Sequence, residues 1–206
     1  MTRYLTTSAA VASLAVLFAC SQQTSNAQEE AATPPPEPTE AQDQIPDDAG
    51  MDGPKSIPSM MRATGDLMGV DGNTIGSVNL IEGPNGIAMN VSIEEGSLEP
   101  GWHAIHLHQT GDCSDTGEYK ASGGHIGKIE GGHGLLNPDG PEKGDLPNLY
   151  VAADGSVEYE TFTNLVAMSD ILDDDGSAAI IHEGRDDHMS QPIGGAGARV
   201  ACAVIE

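Results

Sequence analysis

The chain has 206 residues and a formal net charge of −24 at pH 7, with 32 acidic side chains against 8 basic ones. That balance excludes a general nucleic-acid surface, which needs clustered Lys and Arg, and it favours solubility. It also works against any anionic substrate, which a strongly negative molecule repels.

Residues 1–19 read as a secretory signal, with Arg3 followed by an apolar run at 9–19. Leu17-Phe18-Ala19-Cys20 looks like a lipobox, in which Cys20 is lipidated and becomes the new N-terminus. Cleavage after Ala27 and an uncleaved anchor are the alternatives, and the apolar run is short for a bilayer span. The lipobox reading predicts a periplasmic or cell-envelope protein that meets the membrane only through the lipid on Cys20. Residues 20–60 are low in complexity and rich in Gln, Glu, Ala, Thr and Pro, centred on Thr33-Pro34-Pro35-Pro36-Glu37-Pro38. They cannot bury enough apolar surface to offset ordering entropy, so they read as a disordered, semi-extended tether. Residues 61–206 form one domain of ordinary size. It holds 24 acidic and six basic side chains, a net −18.

Within that domain the pattern is of short strands and turns. Arg62–Gly69 is a first strand, closed by the turn Asp71-Gly72-Asn73. Thr74–Glu82 follows, then the turn Gly83-Pro84-Asn85-Gly86. Ile87, Met89, Val91 and Ile93 alternate with polar or small residues, the period-two signature of a strand with one buried face. The fourth strand is Gly101–His108. Residues 109–147 are Gly-rich and aperiodic, and so long a loop within a compact domain needs a reason such as a metal ion or a disulfide. Asn148–Ala153, Ser156–Thr163, Ala178–His182 and Ala198–Ile205 are strands five to eight, and 183–197 is a second long loop. Eight short antiparallel strands imply an all-β sandwich or closed barrel, which also hides the sheet edges.

Cys113 and Cys202 remain as a pair in an exported chain, where disulfides persist; two buried free thiols are the other reading. His106 and His108, two residues apart on a strand, project from one face about 7 Å apart at Cα. That geometry suits two ligands of one ion. His125, His133, Asp145 and His182 add further donors, and six donors are more than one ion needs, which argues for two. His125 follows Ser122-Gly123-Gly124, where glycines let backbone approach closely. Three imidazoles and a carboxylate suit zinc, and imidazole also suits copper. A doubly deprotonated His125 has a nitrogen for each of two ions.

Four stretches carry a specific resemblance: Gly101–His108, Gly123-Gly124-His125, Gly144-Asp145-Leu146-Pro147-Asn148-Leu149, and 195–205, which reads Gly-Ala-Gly-Ala-Arg-Val-Ala-Cys-Ala-Val-Ile. With these, residues 62–206 resemble bacterial copper,zinc superoxide dismutase. The resemblance implies an eight-stranded Greek-key β-barrel with two long loops. It implies copper held by His106, His108, His125 and His182, with His125 bridging to zinc held also by His133 and Asp145. It pairs Cys113 with Cys202, places Arg199 over the copper as the anion-docking catalytic group alongside His125, and makes Asp186 the carboxylate linking one ligand of each metal. The implied reaction is dismutation of superoxide to oxygen and hydrogen peroxide. A non-enzymatic copper- and zinc-binding lipoprotein of the same fold is the alternative, although a carrier needs no anion-docking arginine.

One position departs from the family. Where its zinc site has a third histidine this chain has Glu142, a candidate replacement ligand. The family usually adds lysines in the last loop, but 183–198 contains only Arg185, so slower and less salt-sensitive capture of superoxide is expected. His103 is expected to be structural and His188 an exposed loop residue. Asp173-Asp174-Asp175-Gly176 lacks calcium-loop spacing and reads as a turn. Met51, Met60 and Met61 suggest copper capture near the tether, but chance is the better reading, and a homodimer is left open.

Overall fold

The computed structural model describes residues 60–206; the signal segment, Cys20, Met51 and the tether up to residue 59 lie outside it. Nine strands follow in order: β1 (Arg62–Gly69), β2 (Thr74–Gly83), β3 (Gly86–Ile93), β4 (Gly101–His103), β5 (Ile105–His108), β6 (Leu149–Val151), β7 (Val157–Thr163), β8 (Ser177–His182) and β9 (Arg199–Ile205). One single-turn helix, α1 (Met168–Ile171), and one 3-10 turn at Lys120–Ser122 complete the described elements.

All ladders are antiparallel. Seven strands form one curled sheet in the order β5-β8-β9-β1-β2-β3-β7, and β4 pairs with β6. The chain passes between these sheets after β3 and leaves β7 to return beside β9, the long connections of a Greek key. The expected eighth-strand count becomes nine because the Gly101–His108 strand breaks at Ala104. There the Ala104 N–H turns to Gly184 O at 2.8 Å and its carbonyl accepts from His182 N–H at 2.9 Å. The break therefore ties the strand to the loop that follows β8.

Side-chain parity builds the interior. Ile87, Met89, Val91 and Ile93 of β3, Val78 and Leu80 of β2, and Ile105 and Leu107 of β5 are buried in one apolar core that also takes Leu149 and Val151 of β6. Full burial of each such side chain contributes about 1.5–3 kcal/mol. β8 is buried on both faces. Ala179 and Ile181 join that core, whereas Ala178 and Ile180 join a second cluster with Cys113, Tyr119 and Cys202. The second cluster is roofed by the segment from 109 onward, so this loop covers the outer face of β8 and β9.

The Cys113–Cys202 disulfide fastens that roof across 89 residues of sequence. In the chain-entropy account, closing such a loop contributes about 4.5 kcal/mol.

Candidate metal centre

His106 and His108 have the parity opposite to Ile105 and Leu107. They leave β5 on its outer face, yet both are completely buried. The register of β5 against β8 sets Ile180 opposite His106 and Ala178 opposite His108. His182, two residues beyond Ile180, emerges on the same outer face. The covering loops are laced to β5 directly: Leu107 N–H donates to Gly144 O and Ile126 N–H donates to Leu107 O, both at 2.9 Å. A Cβ at Gly144 would stand 2.1 Å from Leu107 O, so glycine is required for that approach. This lacing carries His125 and Asp145 onto the strand that bears His106 and His108.

The ring nitrogens divide by partner. His106 Nε2 donates to Asp186 Oδ2 at 2.9 Å. His108 Nδ1 donates to Gly123 O at 2.9 Å, and His182 Nδ1 to Gly197 O at 3.1 Å. The remaining nitrogens, His106 Nδ1, His108 Nε2 and His182 Nε2, are buried without a partner, and so is His125 Nε2. Unpartnered buried nitrogen is costly, so four of them in one place mark a site that another group completes. Ligand atoms of His106, His108 and His182 come within 4.8 Å of one another, and the His125 ring centroid is 4.3 Å from that of His106.

On the other side of His125 the donors are mixed. His125 Nδ1 is 2.8 Å from Glu142 Oε2 and 3.2 Å from Asp145 Oδ1, and His133 Nδ1 is 2.8 Å from Asp145 Oδ1. Four ligands about 2.0 Å from zinc stand about 3.3 Å apart at the corners of a tetrahedron, so these donors fit a small ion with little movement. His106, His125, His133 and Asp145 form one group whose ligand atoms all lie within 4.8 Å of one another, without Glu142. His106 also belongs to the group with His108 and His182, its Nε2 committed to Asp186 and its Nδ1 unpartnered. Glu142 is nonetheless buried, and its second oxygen, Oε1, accepts from the Ile129 N–H at 2.9 Å. Asp145 Oδ2 is held by the N–H groups of Gly134 and Glu142 at 2.8 and 2.9 Å.

Asp186 spans the two halves. Besides His106 Nε2, it meets His133 Nε2 at 3.2 Å through Oδ1. Asn148 fixes it, accepting from Asp186 N–H at 2.8 Å and donating to Asp186 O at 2.9 Å. Asp186 therefore contacts both His106 and His133, and Asn148 is the positioning residue that motif reading did not single out.

Burial holds the imidazoles of the first half neutral. His106 is lowered to about 4, with the Asp186 hydrogen bond opposing burial, and His182 to about 3, with His106 nearby adding to the effect. Burial also carries His108 well below the usual histidine range. For His133 burial is outweighed by hydrogen bonds to Asp145 and Asp186, which raise it to about 10. Asp145 and Asp186 are held well below the carboxylate range: burial opposes this, but hydrogen bonds from His125 and His133 to Asp145, and from His106 and His133 to Asp186, prevail.

Arg199 opens β9 opposite His182, where the register shifts. Its guanidinium donates to Tyr119 O, to Ser122 Oγ at 3.0 Å and to Gly123 O at 2.8 Å. A pocket beside it is lined by His108, Gly124, His125, Lys128 and Glu142. Lys128 was missed in the sequence, since nothing in residues 126–130 marks it; its side chain folds back over Gly124. Arg185, the one cation of the last loop, lies over the Trp102 ring at 5.6 Å. His103 is structural as expected, bridging His182 O and Glu99 O at 2.7 and 2.8 Å. His188 is not an exposed loop residue: its side chain is 16% exposed and stands 3.4 Å from Asp186 Oδ2, because its backbone N–H is bonded to Asp186.

Comparison with known proteins agrees with this geometry. Residues 74–205 match the family model described as copper/zinc superoxide dismutase. The chain is 44% identical over 151 residues to the Cu-Zn superoxide dismutase of Caulobacter vibrioides, which covers 70% of this chain and 85% of that one. Among solved structures it is similar to a SOD-like protein from Bacillus subtilis (35% identity, TM-score 0.62, 68% of this chain and 96% of that one). It is also similar to the Cu/Zn superoxide dismutase from Brucella abortus (31% identity, TM-score 0.58, 71% and 100%).

Proposed function

This chain belongs to the copper/zinc superoxide dismutase family, and from that premise we propose that it converts two superoxide anions and two protons into oxygen and hydrogen peroxide, with copper and zinc as cofactors. The observation that carries the reading is the set of four buried, unpartnered imidazole nitrogens next to a fixed guanidinium. His106 Nδ1, His108 Nε2, His125 Nε2 and His182 Nε2 would hold copper. His125 Nδ1, His133 Nδ1, Asp145 and Glu142 Oε2 would hold zinc. Copper would supply the one-electron redox chemistry, and zinc would order the loop and orient His125.

The residues then have defined tasks. Arg199 remains charged at any working pH and docks the anion. Its three acceptors hold the guanidinium plane still, so little ordering entropy is lost on docking. His125 Nε2, when not engaged by copper, would hold a proton and hand it to the reduced substrate. Asp186 holds the His106 and His133 rings in the tautomers that present Nδ1. Glu142, with Oε1 held by Ile129, presents Oε2 as the ligand that replaces a histidine. The non-catalytic carrier reading is disfavoured by Arg199, which transport does not need. Metal-loaded full chain should dismute superoxide, and Arg199→Ala should lose about 10- to 100-fold in kcat/KM; an inactive protein carrying both metals would reject the assignment.

Cys20 carries the lipid, and the tether gives the domain reach within the cell envelope; Arg3, the apolar run and Leu17-Phe18-Ala19-Cys20 support this. Cys20→Ser should move the protein from the membrane fraction to the soluble one. Self-association has an exposed aromatic site at the edge-to-face Trp102–Tyr150 pair of β4 and β6. Sedimentation tests it, and a single species of monomer mass would reject it.

A further inference from the structure

Arg199 and His108 come from strands far apart in sequence, β9 and β5, yet they share one side chain. Ser122 is completely buried at the end of the 3-10 turn that follows Tyr119. Its hydroxyl donates to Tyr119 O at 2.8 Å. The same oxygen accepts from Arg199 Nη1 at 3.0 Å and lies 3.3 Å from His108 Nδ1. His108 Nδ1 is the proton-bearing nitrogen, because Gly123 O accepts from it and Nε2 is without a partner. The hydroxyl has one proton and two lone pairs, so all of its capacity is used: one donated bond, and two accepted from Arg199 and His108.

We propose that Ser122 is a positioning residue that joins the anion-docking guanidinium to a ligand of the redox metal. The inference rests on the copper assignment made above. Arg199 keeps two carbonyl acceptors without Ser122, but Tyr119 O and Gly123 O flank the turn, and the Ser122 oxygen is the acceptor between them. Removing it frees one Nη1 bond and releases the guanidinium to tilt. It also removes the weaker of two acceptors for the His108 Nδ1–H, which orients the ring that presents Nε2. A group shared in this way couples the two tasks: the same hydroxyl sets where the anion docks and how one imidazole faces the metal. Alanine introduces no larger side chain, so the effect isolates the hydroxyl.

The test uses the full chain loaded with copper and zinc, in wild type, Ser122→Ala and Ser122→Thr. Azide serves as the anion probe, titrated optically on the oxidised protein, with metal content and the copper EPR spectrum recorded for each sample. A lost bond to a charged donor corresponds to about a three- to tenfold weaker affinity in a partly solvated site. Ser122→Ala should weaken azide binding by that factor at unchanged metal content, lower kcat/KM similarly and shift the copper hyperfine splitting; Ser122→Thr, which keeps the hydroxyl, should restore azide binding. Wild-type azide affinity and spectrum in Ser122→Ala would overturn the proposal while leaving the dismutase assignment intact. Absence of copper or of dismutation in wild type would instead remove the assignment beneath it. Should Ser122→Ala fail to load metal, nitrogen NMR of both proteins without metal decides. Arg199 Nη signals that are separate and slowly exchanging in wild type but averaged in metal-free Ser122→Ala support the proposal, and the same pattern in both proteins overturns it.

Discussion

The two halves of the metal centre meet at His125 but are built on different physics. The half proposed for copper is four buried, unpartnered imidazole nitrogens, and burial keeps His106, His108 and His182 neutral. The zinc half is satisfied by its own members, with His133 raised to about 10 between Asp145 and Asp186. One half is therefore ready to receive an ion without releasing protons from His106 or His182. The other must exchange a proton for one. Ligand type alone does not reveal this; the partners of each ring nitrogen do.

The comparison breaks most severely at the copper half. His182→Ala removes one of the unpartnered nitrogens and should abolish copper retention at stoichiometric metal and lower dismutation by more than about a hundredfold. Copper held at full stoichiometry with normal activity would show that the four nitrogens are not one set.

The next effect is pH. His106 and His182 are neutral at any pH above about 4, so copper affinity owes no pH dependence to them near neutrality. His133 is protonated in the metal-free protein below about 10, so zinc displaces a proton and its affinity falls up to about tenfold per pH unit on acidification. Dialysis at stepped pH from 8 to 4, with both metals quantified, should show zinc leaving first. Copper leaving first would invert the comparison.

Glu142 sharpens the zinc half further. Glu142→Gln keeps the shape and removes the charge, and should weaken zinc by about 10- to 100-fold while copper content stays within error. Unchanged zinc affinity in a competition titration would restrict Glu142 to a hydrogen bond with His125.

The smallest effect concerns capture. Lys120 and Lys143 are paired with Glu118 and Asp170, whereas Lys128 has no such partner among the described residues and lines the pocket beside Arg199. Lys128→Gln should lower kcat/KM by about two- to threefold at low salt and flatten its salt dependence. Lys143→Gln, the control, should change neither. A salt profile unaltered by Lys128→Gln would return steering to the slow-capture expectation drawn from the 183–198 loop.

Much of this was legible in the chain. Parity placed His106 and His108 on one face because a strand has period two, and the alternation in β3 marked its buried face. Glycine before His125 marked close approach. What was not legible depends on chain segments meeting. Ser122 gains its role only when residue 199 arrives, and Lys128 only when its side chain lies back over Gly124. His188 looked like an exposed loop residue because its bond to Asp186, two residues back, buries it only once Asp186 is itself carried in against His106 and His133. Ala104 interrupts its strand because Gly184 and His182 compete for its backbone, and four residues of α1 are too few to show a helical period.

The claim on which all else depends is that His125 is shared. Replacing zinc by cobalt(II) in the copper(II)-loaded protein tests it most directly, because a shared imidazolate couples the two paramagnetic ions. Cobalt loading should strongly diminish the copper EPR signal, and His125→Ala should leave the copper signal of any doubly loaded protein at full intensity. A full-intensity, magnetically isolated copper signal in the doubly loaded wild-type protein would contradict that claim.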